Sequence, residues 1–341
     1  MRNKVVSSAL IFLMLFLGIG SLAFFTAAPE ETLIPRVSAD PATIIEPNIE
    51  ISRQSDRSIT SYWGLGTWID SYDMDPTYVN NPTVSPADVA DMANSGIRTL
   101  YMQAARSDSR AHWPITDPWI LTEFLLTAHR EGIEVVAWYL PKWNSGTEDI
   151  ERLLALSEFE VLGHSFDGIA VDIEWNNDGL EGIERSQRLV NLSSKLRELV
   201  GDDPLGAIVM PPVLTEEINP DFWPDFPWKE IAPIYDVWLP MSYWSFRTEE
   251  HADPYYYSGE SIRLLRTFLG DPEAKVHGIG GIGLDDGTNL PDPGEPLASI
   301  DDLQAFVDSL IDTDSIGGSI YDWATTGEHS RQQLEDLFAD L

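Results

Sequence analysis

Residues 166–175 read Phe166-Asp167-Gly168-Ile169-Ala170-Val171-Asp172-Ile173-Glu174-Trp175. The apolar run from Gly168 to Ile173 is short and continuous, as expected for a parallel strand buried on both faces. With a period of two, Asp172 and Glu174 point to the same side at its C-terminal end. Working outward, runs of the same kind precede it at Tyr62–Trp68, Thr99–Gln103 and Val135–Leu140. Four more follow at Gly206–Met210, Val237–Met241, Val276–Ile279 and Gly318–Tyr321. Helical stretches separate them, with their own punctuation. Ser85-Pro86 starts one as N-cap and N1. Asp117-Pro118 opens the next, whose Ile120, Phe124, Leu125 and Ala128 share a face before Gly132 ends it. Leu180–Val200 is closed by Gly201, Ser258-Gly259 and Ser299 open later helices, and His329–Leu341 supplies the last. Eight β–α repeats in about 280 residues predict a single (β/α)8 TIM barrel. A doubly wound sheet is the alternative, but no Gly-rich phosphate loop follows the first strand. In a barrel the chemistry gathers where the strands end.

Composition narrows the function classes. The 341 residues carry 56 acidic and 21 basic side chains, a net charge of -35, and no Cys. That balance excludes a nucleic-acid partner, because phosphate neutralisation needs Lys and Arg. Zero Cys excludes a disulfide framework, a thiolate metal site and a Cys nucleophile. The 31 Asp, 25 Glu and only 5 Lys beside 16 Arg suit a high-salt milieu, where a carboxylate shell stays hydrated and screened. A generally acidic secreted protein is the plainer reading of the same counts.

Arg2 and Lys4 precede an uncharged run from Val5 to Ala28. Residues 1–28 therefore read as a signal peptide or membrane anchor, with a membrane tether through residues 5–28 in the second case. Either way the rest of the chain is expected outside, secreted or extracellular and membrane-anchored. Residues 29–57, with Pro29, Pro35, Pro41 and Pro47, read as a flexible linker, and 58–341 as the folded domain. Residues 1–57 hold 5 basic and 6 acidic side chains, so nearly all the excess charge belongs to the barrel.

Two carboxylates two residues apart on one strand repel each other, which raises the pKa of one and keeps it protonated near neutrality. Here a resemblance becomes specific. The segment resembles the signature of family 18 glycoside hydrolases, the chitinases and endo-N-acetylglucosaminidases, which runs Asp-Gly-x-Asp-x-Asp-x-Glu. Asp167, Gly168, Asp172 and Glu174 match it, and Ala170 stands at the inner Asp position. Met241-Ser242-Tyr243 is similar to the family's Met-x-Tyr, Gly278-Ile279-Gly280-Gly281 to its Gly-containing strand, and Gly317-Gly318-Ser319-Ile320-Tyr321-Asp322-Trp323 to its final strand. The resemblance implies that Glu174 is the general acid and then the base. It implies that Asp172 orients the substrate's N-acetyl group as internal nucleophile, that Tyr243 hydrogen-bonds the acetamide, and that Trp323 floors the subsite. Substrate assistance then replaces the second carboxylate of ordinary glycosidases.

The chain departs from the family at Ala170, at Trp244 where many relatives carry Asp, and at Trp138-Tyr139-Leu140-Pro141-Lys142, which lacks the family's Ser-x-Gly-Gly. Two alternatives stay open. One is a barrel glycosidase of another family using Glu174 with a separate Asp: Asp70 at the end of strand one, Asp285, Asp286, or Asp322, which alternation turns from the pocket floor. The other is a non-catalytic carbohydrate-binding barrel. Trp138, Tyr101, Gln103, Asp70 and Met241 are further substrate-binding candidates, with Arg106 and Lys142 able to bind hydroxyls or to pair within an acidic protein. The expected partner is an oligosaccharide or polysaccharide. No cofactor and no metal is expected, since the six His form no ligand pair at helical or strand spacing. No G-x-S-x-G elbow is present.

Overall fold

The computed structural model describes residues 57–143, 146–283 and 296–340. The leader at 1–28, the linker up to residue 56, and Asp285 and Asp286 lie outside the described residues. Eight parallel strands close a barrel in chain order. They are β1 (Gly64–Ile69), β2 (Thr99–Gln103), β3 (Glu134–Tyr139), β4 (Gly168–Ile173), β5 (Leu205–Val209), β6 (Val237–Ser242), β7 (Lys275–Gly281) and β8 (Gly317–Tyr321). β8 pairs with β1 through Gly317↔Gly64 to Ile320↔Thr67, which completes the circle. Nine α-helices among the described residues cover the outside: α1 (Ser71–Met74), α2 (Val89–Asn94), α3 (Pro118–Glu131), α4 (Gly146–Glu158), α5 (Gly182–Val200), α6 (Trp228–Ile231), α7 (Pro254–Leu269), α8 (Ile300–Asp312) and α9 (Glu328–Leu337).

Alternation along each strand divides the core in two. On β4, Ile169, Val171 and Ile173 join the layer under the helices, with Leu121, Phe124, Leu189 and Leu196. Ala170 instead faces inward with Trp68, Tyr101, Val136, Trp138, Ile208, Leu239, Met241 and Ile279. The lower end of this interior is closed by Tyr62, which is fully buried and donates its hydroxyl to the Ile169 carbonyl at 2.8 Å. Gly168 and Gly206 make room for that ring: a Cβ on Gly168 would stand 2.7 Å from the Tyr62 oxygen, and one on Gly206 2.9 Å from the ring. Tyr62 thus belongs to a 3-10 turn, Ile59–Tyr62, and not to the start of β1 as its apolar run suggests.

Other differences are local. Arg57, expected at the end of the linker, is already part of the fold, bonding Phe166 O at 2.7 Å and Ser157 O at 2.8 Å. α7 does not open at Ser258-Gly259. Asp253 caps it by accepting from Tyr256 N, with Pro254 at N1. Ser258 and Gly259 are buried within α7, and Ser309 of α8 lies 3.6 Å from the position of a Gly259 Cβ, so small residues there let two helices approach. Glu160–Val161 and His164–Ser165 form an unforeseen hairpin. Its two turn residues, Leu162 and Gly163, both have positive φ, as tight two-residue hairpin turns require.

Candidate active site

The site grows from the end of β4. Asp172 is the last inward-facing residue of the strand and is 6% exposed; Glu174 follows one step beyond it, half-buried. Burial pushes the Glu174 carboxyl up to about 7. Burial is also the first cause holding Asp172 well above the usual carboxylate range, and the Glu174 charge is the second. The mutual repulsion expected from the spacing is therefore present but secondary to desolvation. Asp172 Oδ1 has no hydrogen-bond partner among the described residues, and neither do Trp138 Nε1, Tyr101 Oη and His277 Nε2 in the interior. A buried polar atom without a partner costs about 1–3 kcal/mol, so the bare Asp172 Oδ1 at the strand end is not explained by folding alone.

Tyr243 lies just beyond β6, half-buried, and packs with the interior cluster that also holds Met241, Trp138 and Tyr321. Its ring centre is 6.1 Å from that of Tyr321, at the end of β8, and Tyr321 is 6.4 Å from Trp68. Trp138 in turn meets Trp68 edge-on at 6.0 Å. Asp172, Tyr243, Met241 and Trp138 thus share the barrel interior and its C-terminal end, as the strand pattern suggests.

Trp323 is a correction. It is 3% exposed and belongs to the layer outside the sheet, with the Arg331 guanidinium 3.4 Å above its ring. Its backbone N–H donates to Trp68 O and its carbonyl accepts from Arg331. The chain leaves β8 at Tyr321, so the inward alternation ends there. The aromatic that faces inward is Tyr321, whose hydroxyl donates to Asp70 Oδ2 at 3.1 Å. Reading Ser319, Ile320 and Tyr321 at period two would have found it.

Two further candidates serve the scaffold. Tyr101 is fully buried, stacked on Trp68 at 4.3 Å between ring centres, below the mouth. Gln103 is 3% exposed, and its amide oxygen accepts from Ser71 N and Ser71 Oγ, tying β2 to the start of α1. Neither presents a group to a ligand from these positions. Trp244, at a departure from the family pattern, is also buried in the outer layer, 5.4 Å from Phe306.

Asp70 sits at the end of β1 as expected, but as the N-cap of α1 in a reciprocal capping box. Its carboxylate accepts from Tyr72 N and Asp73 N, while Asp73 Oδ2 accepts from Asp70 N at 2.8 Å. Burial raises Asp70, and the hydrogen bonds from Tyr72 and Tyr321 oppose it. Asp73 is pushed up to about 8, first by burial and then by the charges of Asp70 and Asp322. Asp322 is held by Thr325, accepting from its N at 2.9 Å and its Oγ1 at 2.8 Å. Lys142 lies 5.2 Å over the Trp175 ring, and Arg106 lies 4.3 Å over Tyr72. Among the described residues no group of three or more His, Asp or Glu side chains is arranged to hold a metal ion.

The first carboxylate of the signature has a different place from the other two. Asp167 precedes β4 at the opposite end of the barrel, where Oδ2 accepts from Val135 N at 2.7 Å and pairs with His129 Nε2 at 2.9 Å. His129 Nδ1 meets His164 Nδ1 at 2.7 Å, with ring centres 5.0 Å apart.

No family model matches the sequence. No curated protein matches it either. Solved structures do. A glycoside hydrolase family 18 N-acetylglucosaminidase from Paenibacillus barengoltzii aligns over 81% of this chain and 99% of its own, with 11% identity and a TM-score of 0.56. A plant class V chitinase mutant from Cycas revoluta, solved with (GlcNAc)3, aligns over 81% and 100%, with 12% identity and a TM-score of 0.57. A chitinase-like agglutinin from Robinia pseudoacacia aligns over 80% and 99%, with 13% identity and a TM-score of 0.54. At these identities the likeness is one of fold, and the chain has the barrel fold shared by the family 18 chitinase-like proteins.

Proposed function

We propose that this protein is an extracytoplasmic glycoside hydrolase acting on a β-linked glycan that contains N-acetylhexosamine. The observation that carries the reading is the carboxylate pair at the end of β4, with Glu174 raised to about 7 and the buried Asp172 held higher than an ordinary carboxyl. A carboxyl near 7 can be protonated when it meets the glycosidic oxygen and ionised when it later activates water, which is what an acid/base catalyst needs. In the substrate-assisted course, Glu174 gives its proton to the leaving oxygen while the acetamide oxygen attacks the anomeric carbon. Asp172 orients the acetamide and Tyr243 hydrogen-bonds it. Water then adds with Glu174 as base, and the acetamide is released. The partners of the barrel fold support the substrate class: one carries the name N-acetylglucosaminidase and one was solved with (GlcNAc)3.

The basic pair Arg2 and Lys4 ahead of the uncharged run 5–28 supports export, either by a cleaved leader or as a tether. The test of the chemistry is Glu174→Gln assayed on N-acetylchitooligosaccharides. Hydrolysis is expected to fall by about 10²- to 10⁴-fold, the usual worth of a positioned acid/base. Unchanged turnover would end the proposal. Inhibition by N-acetyl-thiazoline analogues separates substrate assistance from a direct displacement using a second carboxylate. A non-catalytic barrel is favoured by Ala170 and by the agglutinin among the fold's relatives, and predicts binding without product release.

A further inference from the structure

Three groups of polar side chains fall outside the roles given so far: the Asp167–His129–His164 chain at the lower end, the His277 and Tyr101 pair in the interior, and the Tyr321–Asp70 pair at the mouth. In the first, a ring nitrogen lies roughly 1.1–1.2 Å from its ring centre, as covalent geometry fixes, so a 2.7 Å contact with centres 5.0 Å apart leaves the two Nδ1 atoms pointing straight at each other. That is a shared proton and not a metal chelate, in which both lone pairs would converge on a third point. In the second, His277 Nδ1 donates to Tyr62 O at 2.8 Å and both side chains are fully buried, out of reach of a ligand.

The third group reaches the mouth. We propose that Tyr321 and Asp70 form a hydroxyl-reading edge of the carbohydrate site, with Asp70 acting as the positioning residue for the Tyr321 phenol. This rests on the carbohydrate reading above. Asp70 is held in place by its own helix: Oδ1 accepts from Tyr72 N at 2.6 Å and Asp73 N at 3.3 Å, and its backbone N–H is taken by Asp73. Only Oδ2 is left to turn inward, and there it accepts the Tyr321 hydroxyl. In this contact the phenol is the donor and the carboxyl oxygen the acceptor, with Oδ1 already taken by two backbone N–H groups. The phenol therefore spends its single proton on Asp70, and its oxygen is left to accept a hydrogen bond. Beside it, the half-buried ring of Tyr243, 6.1 Å away between ring centres, provides an apolar face of the kind on which a pyranose packs. A free sugar hydroxyl at this edge satisfies the phenol oxygen.

The measurement is binding of a β-linked N-acetylglucosamine hexamer by calorimetry, using the full chain in a Glu174→Gln background. Tyr321→Phe is expected to weaken binding about tenfold, the worth of one hydrogen bond. Asp70→Asn keeps a good N-cap, so its melting temperature stays close to the parent while binding weakens several-fold. Because Asp70 acts through the phenol, the double variant loses no more than Tyr321→Phe alone. In the active enzyme, Tyr321→Phe raises KM with kcat held within about threefold, the pattern of an interaction made equally in ground and transition states. Parent-like binding by Tyr321→Phe, or losses that add in the double variant, would overturn the proposal. If Glu174→Gln still hydrolyses substrate, the catalytic reading fails while this binding series still decides the edge. A chain that binds no oligosaccharide in any version sinks both.

Discussion

The two ends of β4 carry carboxylates five residues apart that live in opposite circumstances. Asp167, before the strand, has a backbone N–H and a histidine on one oxygen. Asp172, at the far end, is more deeply buried and leaves Oδ1 without a partner. One carboxylate is used to fasten β3 to the start of β4; the other is kept in an environment that disfavours its charge. Folding alone selects the first arrangement and works against the second. The contrast follows the general division of a barrel, in which one end carries stability and the other carries chemistry.

Exchanging the roles of the two ends is the strongest way to break this contrast. Asp172→Asn is expected to lower kcat on N-acetylated oligosaccharides by about 10²-fold or more, as for loss of a preorganised group at a developing charge. It is also expected to raise the melting temperature at pH 8. The raised pKa means that the ionised form is disfavoured in the folded state. Its cost is absent below the ordinary carboxyl value of about 3.9 and grows as pH rises above it. The stability gap between variant and parent therefore closes toward pH 4. A variant less stable than the parent at pH 8 would contradict the reading of Asp172 as a strained group.

Asp167→Ala should do the reverse. It strands the Val135 N–H and leaves His129 without its acceptor, so unfolding free energy falls by about 2 kcal/mol. For a domain of this size that is a drop of roughly 3–4 °C. kcat should stay within about twofold of the parent, because the carboxylate lies at the other end of the strand. Chemical denaturation and steady-state rates measured on one preparation decide it.

Why some of this was readable in the sequence and some was not comes down to what alternation controls. β4 is a straight run, so period two places Ala170 and Asp172 inward without any structure. Trp323 fails because the chain has already left β8; two residues past a strand, pairing no longer dictates which way a side chain points. Tyr321, still within the strand, obeys the rule. Period two also turns Tyr101 and Gln103 inward, but depth within a barrel depends on strand stagger, which no single strand encodes. Asp70 lies where expected, yet α1 is only four residues long. So short a helix leaves no periodicity to announce a cap. The Asp172/Glu174 spacing predicts repulsion, whereas burial, a property of the whole barrel, turns out to be the larger cause.

That last difference makes the smallest but sharpest prediction. Glu174 must hold a proton to act as the acid, so kcat should hold below its pKa of about 7 and fall as pH rises through it. If repulsion from Asp172 were the main cause, removing that charge would let Glu174 ionise more easily and drag the alkaline limb well toward the ordinary glutamate value of about 4.3. Burial is the cause at Glu174, and Asp172→Asn leaves that burial intact. The limb in the residual activity of that variant should therefore move by less than about one pH unit, equivalent to about 1.4 kcal/mol. A larger acid shift would return the pair to the electrostatic picture that the spacing alone suggests. It would also mean that the two carboxylates titrate as one unit, so that the value near 7 belongs to the pair and not to Glu174.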